Sequence, residues 1–398
     1  MQRIAALPNI DGVDMSASGR DWSVSMIAWG QPSDPRSFSG YSHYLTRALE
    51  TQSRVRREFS AKCIGYSDWF RGAYTFTSNG RRVGKPVVSR KWMWSHRGQQ
   101  ELTRRFAEKL RASGDRGAFL QIGTLVEVPP DLGPHYVLTD MTIPQAARVG
   151  MFDVGKLSGD HVREAVEVQK RVLDSARHVF VLTDWCKRSM VADFGLADDK
   201  VTVVYAGANL PIPLAVKQSR NDEEILFVGI DWERKGGPLL IDAFRLLRQR
   251  LPGVKLRIVG CAPHGLADEP GVSLEGFFDK RDPAQYEKLC RLYLRSSVFC
   301  LPSQFDPFPN VIIEAASVGL ASVAIDNGSR REAILDGVTG HLADPTPASV
   351  ADALWKTLSD RDRCRAMGTA AKAHATAQFT WESVIVKIDR VIGSANRP

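Results

Sequence analysis

The sequence predicts an α/β fold with two doubly wound domains, each built on a parallel sheet. Short apolar runs rich in β-branched residues alternate with longer helical patterns along the chain, which is typical of parallel βαβ units. A polar stretch at residues 210–222, marked by Pro211 and Pro213, interrupts this alternation once. Ligands of such domains bind at the carboxyl ends of the strands, so we expect the two domains to face a central cleft.

The first part of the chain, residues 1–209, contains six apolar runs that we predict to be strands. They lie at residues 24–28, 61–65, 119–123, 136–139, 179–182 and 201–204. Helical patterns lie between them at residues 40–51, 99–112, 162–176 and 186–194. Residues 66–96 are polar and punctuated by glycine, so we expect them to leave the sheet as a loop excursion, where binding residues often lie.

A second series of strands and helices begins after residues 210–222, which we interpret as an interdomain linker. Predicted strands at residues 224–228, 254–259, 298–301 and 322–325 alternate with helices at residues 237–249, 283–294 and 310–318. We therefore place the second domain at residues 223–378. The last segment, residues 379–398, contains an amphipathic helix at residues 381–392 that we expect to pack back on the first domain.

The composition is that of a globular protein, with 398 residues of which 43% are hydrophobic and 25% charged. No apolar run reaches the roughly 20 residues that a membrane span needs. The first 25 residues carry acidic side chains and lack the apolar core of a secretory signal. The six cysteines form no Cys-x-x-Cys pair and the eight histidines show no ligand spacing. We therefore expect a cytoplasmic protein without a metal site or a disulfide framework.

The net charge of +8 is concentrated in the first 150 residues, which hold 21 Lys and Arg against 13 Asp and Glu. Within them, residues 47–116 interleave 17 basic residues with Trp69, Phe70, Trp92 and Trp94. This pattern fits peripheral contact with an anionic inner membrane surface, and it fits an ordinary solvated face equally well. We expect no nucleic-acid partner, because no helix-turn-helix, zinc-finger or aromatic RNA motif accompanies it.

The strongest chemical signal follows the predicted strand at residues 298–301, where Asp306 precedes a helix that begins near Pro309. We expect the first amides of this helix, together with the helix dipole, to bind a diphosphate. Those amides belong to Asn310, Val311 and Ile312. Glu314 lies roughly 8–9 Å farther along the helix, at 1.5 Å per residue. Its carboxylate can accept hydrogen bonds from the vicinal hydroxyls of a ribose, while Asp306 on the other side would meet a sugar.

A second signal is the loop after the predicted strand at residues 224–228. Gly229 ends the strand, and Arg234 and Lys235 precede two glycines that open the next helix. Glycine allows close approach of the backbone to a ligand. The two cations can neutralise a leaving diphosphate without a metal. This loop alone is a weak signal, but with the acidic block about 70 residues later it indicates a nucleoside-diphosphate sugar site.

These two blocks resemble the donor-binding half of a retaining glycosyltransferase of family four (glycosyl transferases group one), which has the GT-B architecture of two Rossmann-like domains. That family shows a strand–glycine–lysine loop and a Glu-x7-Glu motif with a glycine-rich segment behind it. Here the acidic motif runs from Asp306 to Glu314. The trailing positions are Gly319, Gly328, Glu332, Gly337 and Gly340. The resemblance covers residues 223–345 with specific motifs and is looser over the first half.

The resemblance implies a role for each matching residue. Glu314 would bind the ribose, Lys235 the diphosphate, and Asp306 would lie beside the donor sugar. The remaining donor-binding positions would be Gly40, Gly229, Phe308, Asn310, Val311 and Ile312. Ser39 and Tyr41, next to Gly40, would lie on the acceptor side.

The resemblance also implies the reaction. A hexose would pass from a UDP- or GDP-linked donor, held by the second domain, to a hydroxyl of a glycan or lipid-linked acceptor, held by the first. The configuration at the anomeric carbon would be retained. The leaving phosphate would help to deprotonate the acceptor, so that neither a cofactor, a metal nor a protein nucleophile is needed.

Several positions depart from the family pattern. Asp306 is one methylene shorter than the commoner glutamate, and Pro309 removes one amide donor. Ile230 occupies the place of an arginine, and we expect Arg234 to substitute for it as a catalytic cation. The family often has a histidine after the fourth strand, and we expect Asp140 to take its place facing the transferred sugar.

Two other functions remain open at this point. The first is a nucleotide-sugar epimerase of the same fold, which needs a general acid and base at the sugar carbon, and no carboxylate pair or histidine suggests one. The second is a non-catalytic nucleotide-sugar-binding protein, which the departures at Asp306, Pro309 and Ile230 would suit. Product detection by mass spectrometry separates the three.

Overall fold

A computed structural model describes residues 22–35, 37–63, 94–151, 154, 157–210 and 223–395 of the chain. These residues form two compact units. The N-terminal unit contains residues 22–204 and the end of the last helix from residue 385, and the C-terminal unit contains residues 205–384. Each unit is built on one parallel six-stranded sheet with helices, which confirms the predicted α/β fold.

The sheet of the N-terminal unit contains β1 (Val24–Ala28), β2 (Val55–Ser60), β3 (Ala118–Ile122), β4 (His135–Thr139), β5 (His178–Val181) and β6 (Val201–Val203). The strand order is β2-β1-β3-β4-β5-β6, and every neighbouring pair is parallel. The helices are α1 (Tyr41–Glu50), α2 (His96–Ser113), α3 (Ile143–Arg148), α4 (Gly159–Ser175) and α5 (Asp184–Phe194).

The core of this unit shows why its helices form where they do. Apolar residues recur every fourth position on α2, at Leu102, Phe106 and Leu110, which places them on one face of the helix. That face packs against apolar side chains of β1, β2 and β3. A second cluster buries the apolar faces of α4 and α5 against β4, β5 and β6.

The sheet of the C-terminal unit contains β7 (Glu224–Val228), β8 (Lys255–Val259), β9 (Val272–Gly276), β10 (Val298–Leu301), β11 (Ala321–Ile325) and β12 (Gly340–Ala343). The order is β12-β11-β10-β7-β8-β9, again all parallel. The helices are α6 (Gly237–Arg250), α7 (Pro283–Arg295), α8 (Asn310–Ser317), α9 (Arg330–Ala333), α10 (Pro347–Leu358), α11 (Arg361–Gln378) and α12 (Trp381–Ala395), of which α12 continues into the N-terminal unit.

Each sheet has one point at which the strand order reverses. It lies between β1 and β3 in the N-terminal unit and between β7 and β10 in the C-terminal unit. The loops that leave two such neighbouring strands run in opposite directions, and the crevice between them is the usual ligand site of an open α/β sheet. The topology therefore designates one candidate site in each unit.

One predicted strand, at residues 61–65, is wrong, because the strand of this region is β2, at Val55–Ser60. β2 lies at the edge of the sheet, and its charged residues hide it from a search for apolar runs. Arg56 donates a hydrogen bond to the carbonyl oxygen of Ala118 at 2.8 Å, so its charge is accommodated beside the sheet. The other predicted strands and helices each match an observed element, with ends that differ by three residues at most. The elements that were not predicted are β9, β12, α3, α9, α10 and α11.

Two predictions fall largely outside the described residues: positions 66–93 of the loop excursion and positions 211–222 of the linker.

The end of α12 contacts the N-terminal unit, to which it belongs. Asp389 accepts a hydrogen bond from the indole of Trp22 and lies 3.7 Å from the guanidinium of Arg54. A search of the described residues for a helix long and apolar enough to cross a membrane finds no candidate.

Candidate functional site

The candidate site of the C-terminal unit is formed by the loop after β7, residues 229–236, and the loop after β10, residues 302–309. Gly236 brings these loops together. Its φ is +78°, and a Cβ atom at this position would lie 2.0 Å from the carbonyl oxygen of Pro302. Only glycine permits both the left-handed backbone and this approach.

Lys235 and Asp306, which sequence analysis assigned to one site, form an ion pair across these loops. Their side chains are 14% and 11% exposed, so the pair is mostly shielded from water. An ammonium group has three N–H donors, so Lys235 can hold Asp306 and still donate to an anion. Gly229 lies beside this lysine, since a Cβ atom there would be 3.0 Å from Cγ of Lys235.

The helix predicted to present free amides is α8, which begins at Asn310 directly after Pro309. Two of the three amides are not free. The N–H of Asn310 donates to the carbonyl of Phe308 at 3.0 Å, and the N–H of Ile312 donates to the carbonyl of Pro309 at 2.9 Å. The prediction of three unengaged donors is therefore wrong, because the turn at Phe308–Pro309 folds its carbonyls back onto the first helical turn. The side chain of Phe308 is buried.

Glu314 lies inside the unit, with 1% of its surface exposed. Its Oε1 pairs with Nζ of Lys280 at 2.8 Å, and its Oε2 accepts a hydrogen bond from the Tyr293 hydroxyl at 2.9 Å. Burial, and then the charge of Glu314, raise the pKa of Tyr293 well above its usual value. The phenol is therefore a stable donor to the carboxylate. Each carboxylate oxygen keeps capacity for a second hydrogen bond, which a ribose hydroxyl could supply.

A fully buried arginine supports the loop that carries Asp306. Arg330, at the start of α9, donates from Nη1 to the carbonyl oxygen of Asp306 and from Nη2 to Oγ of Ser303, both at 2.7 Å. Its neighbour Ser329 donates to the carbonyl of Pro307 at 2.6 Å. Burial lowers the pKa of Arg330 to about 10, against the opposing effect of the Asp306 charge. The loop is thus fixed from the segment that follows β11.

Arg234 and Ile230 lie on the outer part of the same loop. The Arg234 guanidinium is 38% exposed and pairs with Asp231, with Nε 3.2 Å from Oδ2. Ile230 is 71% exposed. The proposed substitution of Arg234 for the missing arginine stays a prediction.

The remaining predicted site residues belong to the N-terminal unit. Gly40 has φ +88° and precedes the first residue of α1. Ser39 lies in the short turn before it. The side chain of Tyr41 is 1% exposed, and burial raises its pKa, so the ring packs in the interior and its acceptor-side role stays a prediction. Asp140 follows β4 and lines a cavity.

Sequence reasoning missed Lys280, Tyr293 and Arg330. Their contacts with Glu314 or the Asp306 loop join residues 34, 21 and 24 positions apart. Nothing in the local sequence distinguishes Lys280 from a surface lysine or Tyr293 from a core aromatic residue. Arg330 was equally hidden, because it lies in the polar segment Asn327–Glu332, where an arginine is expected at the surface.

The two-unit architecture is that of GT-B glycosyltransferases. The chain is similar to sucrose-phosphate synthase of Thermosynechococcus elongatus, with a TM-score of 0.66 and 16% identity over 94% of this chain and 99% of the other. It is also similar to Anabaena HepE, solved with UDP and glucose, with a TM-score of 0.62 and 17% identity over 94% of this chain and all of the other. At these identities the likeness concerns the fold.

The family model that matches this chain covers most of the C-terminal unit. Residues 215–374 match the family model described as glycosyl transferases group 1. A D-inositol 3-phosphate glycosyltransferase of Corynebacterium diphtheriae is 30% identical over 253 residues, which is 57% of this chain and 58% of that protein. The chain covers between 51% and 58% of the length of the first such relatives.

Proposed function

We propose that the protein is a retaining glycosyltransferase of family four, which transfers a sugar from a nucleoside-diphosphate donor to a hydroxyl acceptor without a metal ion. The observation that carries this proposal is the Lys235–Asp306 pair at the crevice between β7 and β10. A lysine at the carboxyl ends of two such strands can neutralise the charge of a bound diphosphate.

Each residue has a chemical task in this proposal. Lys235 keeps its bond to Asp306 and donates a further N–H to the diphosphate. Because the pair is mostly shielded from water, the lysine stabilises the charge that develops on the leaving diphosphate. Glu314 accepts hydrogen bonds from the ribose hydroxyls, held in place by Lys280 and Tyr293. Asp306 lies beside the donor sugar, and Arg330 fixes the backbone that carries it.

The reaction balances without a protein nucleophile. The bond between the anomeric carbon and the diphosphate oxygen breaks, and its electron pair leaves with the phosphate. The acceptor oxygen bonds to the anomeric carbon from the same face, and its proton passes to the departing phosphate oxygen. The protein contributes positioning and charge stabilisation.

The similar proteins support the donor and the class of reaction. HepE was solved with UDP and glucose, and the Corynebacterium relative is named a D-inositol 3-phosphate glycosyltransferase. We therefore propose a UDP-linked hexose as the first donor to test, a GDP-linked hexose as the second, and a glycan or lipid-linked acceptor. The epimerase and the non-catalytic binding protein gain no support from these relatives.

The test is release of UDP or GDP from nucleotide sugars in the presence of a chelator, with products followed by mass spectrometry. We expect slow donor hydrolysis by the wild type, and a loss of at least a hundredfold in Lys235→Met. Lys255→Met is the matched control, because Lys255 is an exposed lysine at the start of β8.

Four results would contradict the proposal. The first is equal rates for Lys235→Met and Lys255→Met, and the second is activity abolished by the chelator. The third is interconversion of the donor sugar without release of the nucleotide, which would indicate the epimerase. The fourth is binding of the donor without any product, which would indicate the non-catalytic protein.

Peripheral contact with an anionic membrane is a separate proposal. Several arginines of residues 47–116 pair with carboxylates, which reduces the charge they can offer a membrane. They are Arg54, Arg56, Arg104, Arg105 and Arg111. Co-sedimentation with phosphatidylserine vesicles should therefore be weak and lost at high salt, and binding that is insensitive to salt would contradict an electrostatic contact.

A further inference from the structure

The N-terminal unit contains a cavity of about 410 Å³ at the carboxyl ends of its strands. Trp29, which follows β1, and the segment Gly123–Leu125, which follows β3, both line it. The strand order reverses between β1 and β3, so the cavity occupies the position at which an open α/β sheet binds its ligand. Its volume lies within the roughly 300–1,000 Å³ of small-molecule sites.

The wall of this cavity is mainly apolar. Three aromatic residues, Trp29, Phe38 and Trp94, line it and are each only half-buried. Aliphatic side chains complete the wall, among them Leu102, Leu125, Ile143, Val154 and Leu157. Aromatic rings that stay partly exposed inside a crevice offer a large contact area to an apolar ligand.

Several polar side chains of the wall already have hydrogen-bond partners within the protein. Gln169 donates to Oγ1 of Thr124 at 3.0 Å and accepts from the N–H of Ile143 at 2.7 Å. Thr142 exchanges a hydrogen bond with Ser189 at 2.7 Å. A polyhydroxylated sugar buried here would find few polar partners, and its desolvated hydroxyls would be costly. The cavity therefore favours an apolar group over a sugar ring.

One charged side chain lines the cavity among the described residues, that of Asp140. A carboxylate accepts several hydrogen bonds, so a hydroxyl group of a ligand can donate one to Asp140.

We propose that this cavity binds the apolar part of the acceptor, and that the acceptor is an amphiphile whose hydroxyl lies at Asp140. This inference rests on the proposed function, since it names the acceptor class of the same reaction. It differs from what the name of the Corynebacterium relative states for that protein, which is an inositol phosphate. The cavity takes the alkyl or isoprenoid-like group, and the hydroxyl remains at its mouth.

The first measurement is binding of n-octyl β-D-glucopyranoside, below its micelle-forming concentration and without a donor, followed by calorimetry. Glucose and inositol 3-phosphate are the comparison ligands. We expect the octyl glucoside to bind at least tenfold more tightly than either. Equal affinity for glucose, or tighter binding of the phosphate, would overturn the proposal.

Variants then locate the binding. Trp94→Ala and Trp29→Leu remove aromatic surface from half-buried positions, and each should weaken octyl glucoside binding at least fivefold. Trp355→Ala is the control: this tryptophan lies in the C-terminal unit, over the guanidinium of Arg250, and its loss should leave the affinity unchanged. Thermal unfolding of each variant verifies that it is folded. Affinity that survives in both cavity variants, or falls as much in the control, would refute binding in this cavity.

Failure of the acceptor proposal can be distinguished from failure of the proposed transferase function. Octyl glucoside binding is measured without a nucleotide sugar, whereas donor hydrolysis is measured without an acceptor. If UDP release fails and the cavity still binds octyl glucoside, the transferase proposal is wrong and its acceptor assignment falls with it. If UDP is released but octyl glucoside neither binds nor becomes glycosylated, only the acceptor class is wrong.

Discussion

Substitution of Arg330 tests whether the donor loop depends on a buried cation. Arg330 is fully buried and donates to the carbonyl of Asp306 and to the hydroxyl of Ser303. Its Nε has no hydrogen-bond partner among the described residues. Arg330→Met keeps the apolar stem and removes the charge together with both hydrogen bonds, so the loop loses two of its anchors.

The expected change in stability is small, because two terms oppose each other. Burial lowers the pKa of Arg330 from 12.5 to about 10, which corresponds to about 3 kcal/mol against the charged form. Two hydrogen bonds from a charged donor contribute about 3–6 kcal/mol together. The net stabilisation by Arg330 is therefore about 0–3 kcal/mol, and a methionine of similar length recovers part of it by packing.

Donor binding is expected to weaken as well. The two lost bonds hold the backbone of Asp306 and the side chain of Ser303, so the Lys235–Asp306 pair loses its fixed position. We expect at least a tenfold loss of UDP affinity by calorimetry, with the free energy of unfolding in urea lowered by no more than about 3 kcal/mol. If the variant is destabilised but its UDP affinity is unchanged, Arg330 stabilises the fold and does not position the donor-binding loop.

Three further predictions concern single side chains. Glu314→Gln should reduce the preference for UDP over 2′-deoxy-UDP, since the ribose hydroxyl then meets a neutral amide; an unchanged preference would contradict ribose binding there. Lys280→Met should destabilise the fold by about 1–3 kcal/mol in urea unfolding, because Glu314 stays buried with one partner less, and adding Glu314→Gln should recover most of the loss; additive losses would contradict this. His135 is buried without a ring partner among the described residues, and burial lowers its pKa to about 3. The unfolded chain therefore takes up this proton below pH 6.5 and the native protein does not, so stability should fall by about 2 kcal/mol between pH 6.5 and 5, and His135→Phe should lose that part of the pH dependence.

The order of strands and helices was largely readable from the sequence, because buried parallel strands are continuous apolar runs. β7 and β10 are buried along nearly their whole length and were predicted with their observed ends. β2 and β9 were misplaced or missed, since both lie at a sheet edge, where polar residues are tolerated. The pattern of burial, and not the propensity of the residues, decided which strands could be found.

The candidate donor site was predicted in part, for a similar reason. Lys235 and Asp306 follow strands that are neighbours in the sheet, so topology alone brings their loops together. The amides of Asn310 and Ile312 were wrongly taken as free, because local turns are decided by backbone geometry that spacing does not reveal. Lys280 and Arg330 could not be found, since their partners are distant in sequence and each cation looks ordinary in its own segment.

The two crevices follow one topological rule and yet differ in character, and the difference suits a transferase. At the β7–β10 crevice the loops supply Lys235 and Asp306, with Arg330 behind them, which suits a charged diphosphate. At the β1–β3 crevice they supply Trp29 and its apolar neighbours with one carboxylate. If both ligands were recognised through charge, either crevice could bind the other's ligand and unproductive complexes would compete. In the two proposals the donor is recognised by charge and the acceptor by apolar surface. That division removes the competition, because an apolar wall offers little to an anion and an apolar group gains nothing from an ion pair.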